Sequence, residues 1–127
     1  MQALVVDDSR VMRTILTRVL TGLNFTVVQA GDGAEALQLL EDGARPDVAL
    51  VDWNMPVMDG LTFIKRCRAN PDYRDLLLMM VTTESEQSQI VRALAAGAHE
   101  YVIKPFTADA IRDKLALLGL LPQEVVL

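Results

Sequence analysis

Two adjacent aspartates, Asp7 and Asp8, follow the apolar run Ala3–Val6. A third, Asp52, follows Val48–Val51 directly; Thr82 and Thr83 follow Leu76–Val81, and Lys104 follows Tyr101–Ile103. Three carboxylates brought together cannot all stay ionised without a counter-charge. A hard divalent cation supplies one, and magnesium takes oxygen ligands from one or two carboxylates while keeping several waters. Lys104 adds a point cation, and Thr82 adds a hydroxyl able to donate to an oxyanion. A metal, a lysine and a hydroxyl around one aspartate suit a phosphoryl group in transfer, where catalysis is mostly positioning and charge neutralisation. The Asp52 carboxylate is then the nucleophile, and an acyl phosphate is the product. The chain has neither G-x-x-x-x-G-K-[ST] nor G-x-G-x-x-G, so it has no nucleotide cradle and the phosphoryl group must come from elsewhere.

These residues are scattered over about a hundred positions, so the fold must gather them. Five apolar, β-branched runs read as strands: Ala3–Val6, Thr26–Gln29, Val48–Val51, Leu76–Val81 and Tyr101–Ile103. Leu4–Val6, Val48–Val51 and Leu76–Val81 are continuously apolar, the pattern of strands covered on both faces in a parallel sheet. Between the runs lie helical spacings. Val11, Ile15 and Val19 beside Met12, Leu16 and Leu20 form a broad apolar stripe; Ala36, Leu37 and Leu40, then Leu61, Ile64 and Cys67 follow. Ile90, Val91, Leu94 and Ala95, and finally Ile111, Leu115 and Leu118, complete the set. Ser9 and Thr107 are suited to cap the first and last helices; Thr83 with Glu86, or alternatively Ser85, is suited to cap the fourth. Gly22 marks the end of the first helix and Gly97 that of the fourth; Gly31-Asp32-Gly33 opens the second, which Gly43 and Pro46 close. The alternation predicts a (βα)5 flavodoxin-like, doubly wound parallel sheet. In such sheets, ligands bind outside the carboxyl ends of the strands where the strand order reverses, and the three carboxylates, the Thr82 hydroxyl and the Lys104 ammonium all fall on that carboxyl edge.

Composition narrows the function classes. The 127 residues carry 12 Lys+Arg and 17 Asp+Glu, a net charge of −5, without a basic cluster, which argues against direct nucleic-acid binding. Hydrophobic residues make up 51% and charged residues 23%, as in a globular domain. No apolar run approaches the roughly 18–20 residues of a membrane span, and the start Met1-Gln2-Ala3-Leu4 lacks the basic region of a signal peptide. Cys67 is the sole cysteine, so no intramolecular disulfide forms. Together these features predict a cytoplasmic domain over residues 1–121 and a short tail over 122–127.

Four segments resemble the receiver domains of two-component response regulators, most of all the single-domain chemotaxis members. They are Val5-Val6-Asp7-Asp8-Ser9, Val51-Asp52-Trp53-Asn54-Met55-Pro56-Val57-Met58-Asp59-Gly60, Val81-Thr82-Thr83-Glu84 and Tyr101-Val102-Ile103-Lys104-Pro105-Phe106. The resemblance spans Ala3 to Leu118 and implies the strand order 2-1-3-4-5. It makes Asp52 the phosphoacceptor. Asp8, Asp52 and the backbone carbonyl of Asn54 become ligands of Mg2+, with Asp7 acting through a water. Lys104 would pair with the phosphoryl oxygens, and Thr82 would turn inward to one of them. Tyr101 matches the aromatic whose rotamer follows Thr82; Asn54 and Glu84 occupy positions that tune phosphoryl lifetime. The Lys104–Pro105 bond is expected to be cis. Thr83 is larger than the residue often found there, which narrows access to the site.

The resemblance further implies a histidine kinase or phosphotransfer protein as donor. It implies a downstream protein docking on the face of the fourth helix, fifth strand and fifth helix, and a monomer or weak dimer. Only Leu118–Leu127 follows the last helix, so no effector is expected within the chain and output is by docking. Enzymatic activity is expected to be limited to Mg-dependent self-phosphorylation from small donors and autodephosphorylation. Two alternatives stand beside this. An aspartyl-phosphate phosphatase would resemble D-x-D-x-T at the first strand, which is absent. A phosphorylation-independent binding module has no feature in its favour, because every acceptor-site residue type is present. Simpler roles are set against some residues: Tyr101 as a cover for the sheet, Trp53 as a partly exposed neighbour of the acceptor, His99 as a surface residue and Cys67 as core.

Overall fold

The computed structural model describes residues 1–122. Five strands alternate with five helices: β1 (Gln2–Val6), α1 (Arg10–Gly22), β2 (Thr26–Ala30), α2 (Gly33–Glu41), β3 (Val48–Val51), α3 (Gly60–Ala69), β4 (Leu77–Thr82), α4 (Gln87–Ala96), β5 (Glu100–Ile103) and α5 (Ala108–Leu117). A 3-10 turn, Pro71–Tyr73, precedes β4. All four strand pairings are parallel, in the order β2-β1-β3-β4-β5. Of the tail expected over 122–127, residues 123–127 lie outside the described residues.

The continuous apolar runs have the predicted cause. Leu4, Val6, Ala49, Val51, Leu78 and Met80 point to one face and pack with Ala36, Leu40, Phe63, Ile64, Cys67 and Ala93 from α2, α3 and α4. Their neighbours in sequence, Ala3, Val5, Val48, Leu50, Met79 and Val81, meet Leu16, Leu20, Ile111 and Leu115 from α1 and α5 on the other face. Because successive strand side chains alternate between faces, a strand sandwiched in this way needs an apolar residue at every position.

Helix starts follow short polar side chains. The Ser9, Asp32, Asp59 and Thr107 side chains accept from the backbone N–H of Met12, Glu35, Thr62 and Ala110 respectively. The fourth helix departs from expectation. Neither Thr83 nor Ser85 caps it; Glu86 is the N-cap and its side chain makes no capping bond. The segment between β4 and α4 runs further than the capping-box spacing allows, and the Tyr101 hydroxyl holds it at the sheet edge by donating to the carbonyl of Glu84 within it. Ala93 is the one buried residue of α4, the fewest of the five helices.

Candidate functional site

Parallel pairing in register carries the ends of β1, β3, β4 and β5 to one edge. The ladders continue one residue past the strands: Asp7 N–H donates to Ala30 O at 3.1 Å, Asp52 N–H to Val6 O at 2.9 Å, and Lys104 N–H to Thr82 O at 2.8 Å. Each backbone is therefore fixed where its side chain leaves the sheet. Asp7 and Thr82 are buried, 1% and 0% exposed, Asp52 is 9% exposed, and Asp8 faces solvent. Asp7, Asp8 and Asp52 each offer a carboxylate oxygen, and these oxygens lie within 4.8 Å of one another.

Lys104 spans the cluster. Its Nζ lies 2.8 Å from Asp7 Oδ2 and 3.6 Å from Asp52 Oδ2. The other oxygen of Asp7 accepts from Ser9 N–H at 2.9 Å, and the Arg13 guanidinium donates to the Asp7 carbonyl at 2.7 Å. Asp52 Oδ1 accepts from Trp53 N–H at 2.8 Å, while the buried Thr82 hydroxyl accepts from Glu84 N–H at 3.4 Å. Burial pushes the Asp52 carboxyl above its ordinary range, with the Asp7 charge adding to the rise. Lys104, Thr82 and the Trp53 amide pull the other way without cancelling it. The Asp52 carboxyl is thus held in a desolvated setting with the Lys104 ammonium beside it.

The rim carries the remaining residues singled out from the sequence. The exposed Asn54 donates from Nδ2 to Glu84 Oε1 at 2.7 Å, which closes a bridge over the mouth of the site. Tyr101, half-buried on β5, donates its hydroxyl to the Glu84 carbonyl at 2.6 Å. Its phenol is pushed above the ordinary value, first by burial and then by the charges of Glu84 and Asp52. The Lys104–Pro105 bond is cis. Three hard oxygen donors with no imidazole or thiolate among them suit a magnesium-type cation far better than a zinc-type one.

Trp53, expected to be partly exposed, is instead buried at 6% exposure, because it packs into the α2–α4 core and the guanidinium of the α4 residue Arg92 lies 5.7 Å from its ring centre. His99 is exposed as a residue, yet its Nδ1 accepts from Leu78 N–H at 3.1 Å. That contact turns the ring onto the start of β4. Gly60 was legible only as part of a motif. A Cβ there would stand 2.0 Å from the Asp52 carbonyl oxygen, so the start of α3 lies directly against the acceptor backbone. The Asp59-Gly60 pair after a proline was the available signal, and only the contact reveals its use.

A (βα)5 doubly wound sheet with an acidic cluster, a lysine and a hydroxyl at its carboxyl edge defines a class, and comparison with known proteins names it. The model of the response regulator receiver domain matches residues 3–116. The chain belongs to that family and is of the CheY type. It is 43% identical over 116 residues to a chemotaxis protein CheY homolog of Campylobacter jejuni, covering 91% of this chain and 89% of that one. It is 40% identical to the chemotaxis protein CheY of Pseudomonas aeruginosa, with 91% and 93% covered. Among solved structures, CheY4 of Vibrio cholerae superposes with a TM-score of 0.84 at 34% identity, with 94% and 98% covered. Among the described residues, no helix is long and apolar enough to cross a membrane.

Proposed function

We propose that the chain is a phosphorylation-activated chemotaxis switch in which Asp52 accepts a phosphoryl group from a histidine kinase or phosphotransfer protein. The observation that carries this is the meeting of three carboxylates within 4.8 Å, with a lysine that bonds Asp7 across 97 residues of sequence. In the transfer, an Asp52 carboxylate oxygen forms the O–P bond as the N–P bond of phosphohistidine breaks; the electron pair stays on the imidazole nitrogen, which takes up a proton. Asp8, Asp52 and the Asn54 carbonyl would hold Mg2+, with Asp7 reaching it through a water. That ion would neutralise charge on the phosphoryl oxygens. Lys104 moves from Asp7 toward the incoming oxygens, a short path because it already lies 3.6 Å from Asp52. Thr82 donates its hydroxyl to one of them. Asn54 and Glu84, which bridge the mouth, regulate how readily water reaches the acyl phosphate and hence its lifetime.

Output runs through Thr82 and Tyr101 to the face of α4, β5 and α5. There Val91 is 57%, Leu94 45% and Ile103 41% exposed, an apolar surface suited to a protein partner. The weakly anchored α4 gives this face room to shift. Residues 1–121 act as one receiver domain, monomeric or weakly dimeric, in the cytoplasm. Its chemistry is confined to self-phosphorylation from small donors and autodephosphorylation. Acetyl phosphate or beryllofluoride with magnesium should change Trp53 fluorescence, and mass spectrometry should map one alkali-labile phosphoryl group to Asp52. An Asp52→Asn variant giving the same fluorescence response would sink the assignment.

A further inference from the structure

The loop that begins at the acceptor carries a conformational outlier. Val57 has φ 68°, in the left-handed region, and is 85% exposed. A β-branched residue is poorly suited to that conformation, because its side chain crowds the neighbouring backbone. Among the described residues, the other non-glycine at positive φ is Asn24, with φ 69°, a residue type that adopts it readily. The chain thus uses the unstrained solution at one such position and a strained one at the other. An exposed valine gains no burial in return. Strain of this kind, held in place by its surroundings, points to a task for the side chain.

The surroundings do hold it. Gly60 N–H donates to the Trp53 carbonyl at 2.8 Å, Met58 N–H to Pro56 at 2.7 Å, and Gly33 N–H to Met58 at 3.0 Å. The loop is closed on itself and tied to α2, with Val57 near its tip and Asp52 at its base. A phosphohistidine must bring its phosphorus to about 3–3.5 Å from the acceptor oxygen, and that carboxylate is only 9% exposed. The protein bearing the histidine must therefore lie on the rim, where Asn54, Pro56 and Val57 are exposed.

Resting on the function proposed above, we infer that Val57 is an apolar contact for the histidine-bearing donor protein, a specificity residue with no part in the chemistry. The donor surface it fits is an apolar patch beside the phosphohistidine. Val57→Asn and Val57→Gly supply residues at ease in the left-handed region and remove the apolar contact. The donors compared are phosphoimidazole, a small molecule with the same leaving group, and the phosphohistidine domain of a histidine kinase that transfers fastest to the wild-type chain. Both variants should accept phosphoryl from phosphoimidazole within about twofold of wild type, and kcat/KM from the protein donor should fall about five- to tenfold, as expected for loss of a contact worth about one factor of ten. Val57→Asn should also melt about 3–6 °C higher as the strain is relieved. Equal transfer from the protein donor to wild type and both variants would overturn the inference, as would a wild type that takes phosphoryl no faster from the protein than from phosphoimidazole. Failure of wild type to be phosphorylated on Asp52 by either donor would instead overturn the underlying function.

Discussion

Substituting Gly60 by alanine tests the architecture of the acceptor loop at its tightest point. The added Cβ would stand 2.0 Å from the Asp52 carbonyl oxygen and 3.1 Å from Trp53 Cα, both backbone atoms that cannot rotate away. An ordinary contact begins at 3.4 Å, so the start of α3 and the end of β3 must part by about 1.4 Å. That displacement stretches the 2.8 Å bond from Gly60 N–H to the Trp53 carbonyl. Overpacking costs about 1–3 kcal/mol and the weakened hydrogen bond about 1 kcal/mol more, so the expected loss is about 2–4 kcal/mol. For a chain of this size that is a fall in melting temperature of roughly 6–20 °C. The same shift moves the Asp52 carboxylate relative to Lys104 and Thr82, and misplacement by about 1 Å costs on the order of a hundredfold in rate. Circular dichroism reads the first effect and labelling with radioactive acetyl phosphate the second. Gly22→Ala is the control, because a Cβ there meets nothing within 4 Å and sits at the end of α1; it should leave both readouts at or slightly above wild type. A Gly60→Ala protein melting within about 2 °C of wild type, and labelled at its rate, would refute the close approach.

Two further outcomes follow from burial. Because burial holds the folded Asp52 carboxyl above its ordinary value of 3.8, the native state binds more protons than the unfolded chain between the two values. Stability therefore falls as pH rises through that window. With a chelator present, Asp52→Asn should match wild type below the window and exceed it in thermal stability at pH 7; a variant less stable at pH 7 would reverse the sign of this account. Cys67 is fully buried and its thiol is pushed up to about 12 by burial, against a small opposing pull from Arg68. Ellman's reagent should leave the native protein unlabelled and report one thiol after denaturation; rapid labelling of the folded protein would contradict its place in the core.

The alternation of apolar runs and helical stripes was enough to give five strands, five helices and a parallel sheet, because burial on both faces leaves an unbroken apolar signature. Ser9 and Thr107 were legible as caps because a cap bonds only to its own next turn. The start of α4 was not, since the Tyr101 hydroxyl, from β5, holds the carbonyl of Glu84 in the preceding segment, and that tertiary bond overrides the local spacing of Thr83 and Ser85. The burial of Trp53 was missed for a related reason. A tryptophan beside an acceptor reads as a rim residue until a neighbouring helix lays Arg92 over it.

At the site, residue type and position after a strand identified Asp7, Asp8, Asp52, Thr82 and Lys104, since strand ends in such a sheet must share an edge. Composition and spacing alone specified the elements and the inventory of reactive groups. Which oxygen the lysine holds, that the hydroxyl of Thr82 is buried beside the acceptor edge and accepts from Glu84 N–H, that Gly60 abuts the Asp52 carbonyl, and that Val57 is forced into a left-handed turn were decided by the folded chain. Those are relations between atoms whose separation in space is set by packing over the whole sheet, and no local pattern of residues encodes them.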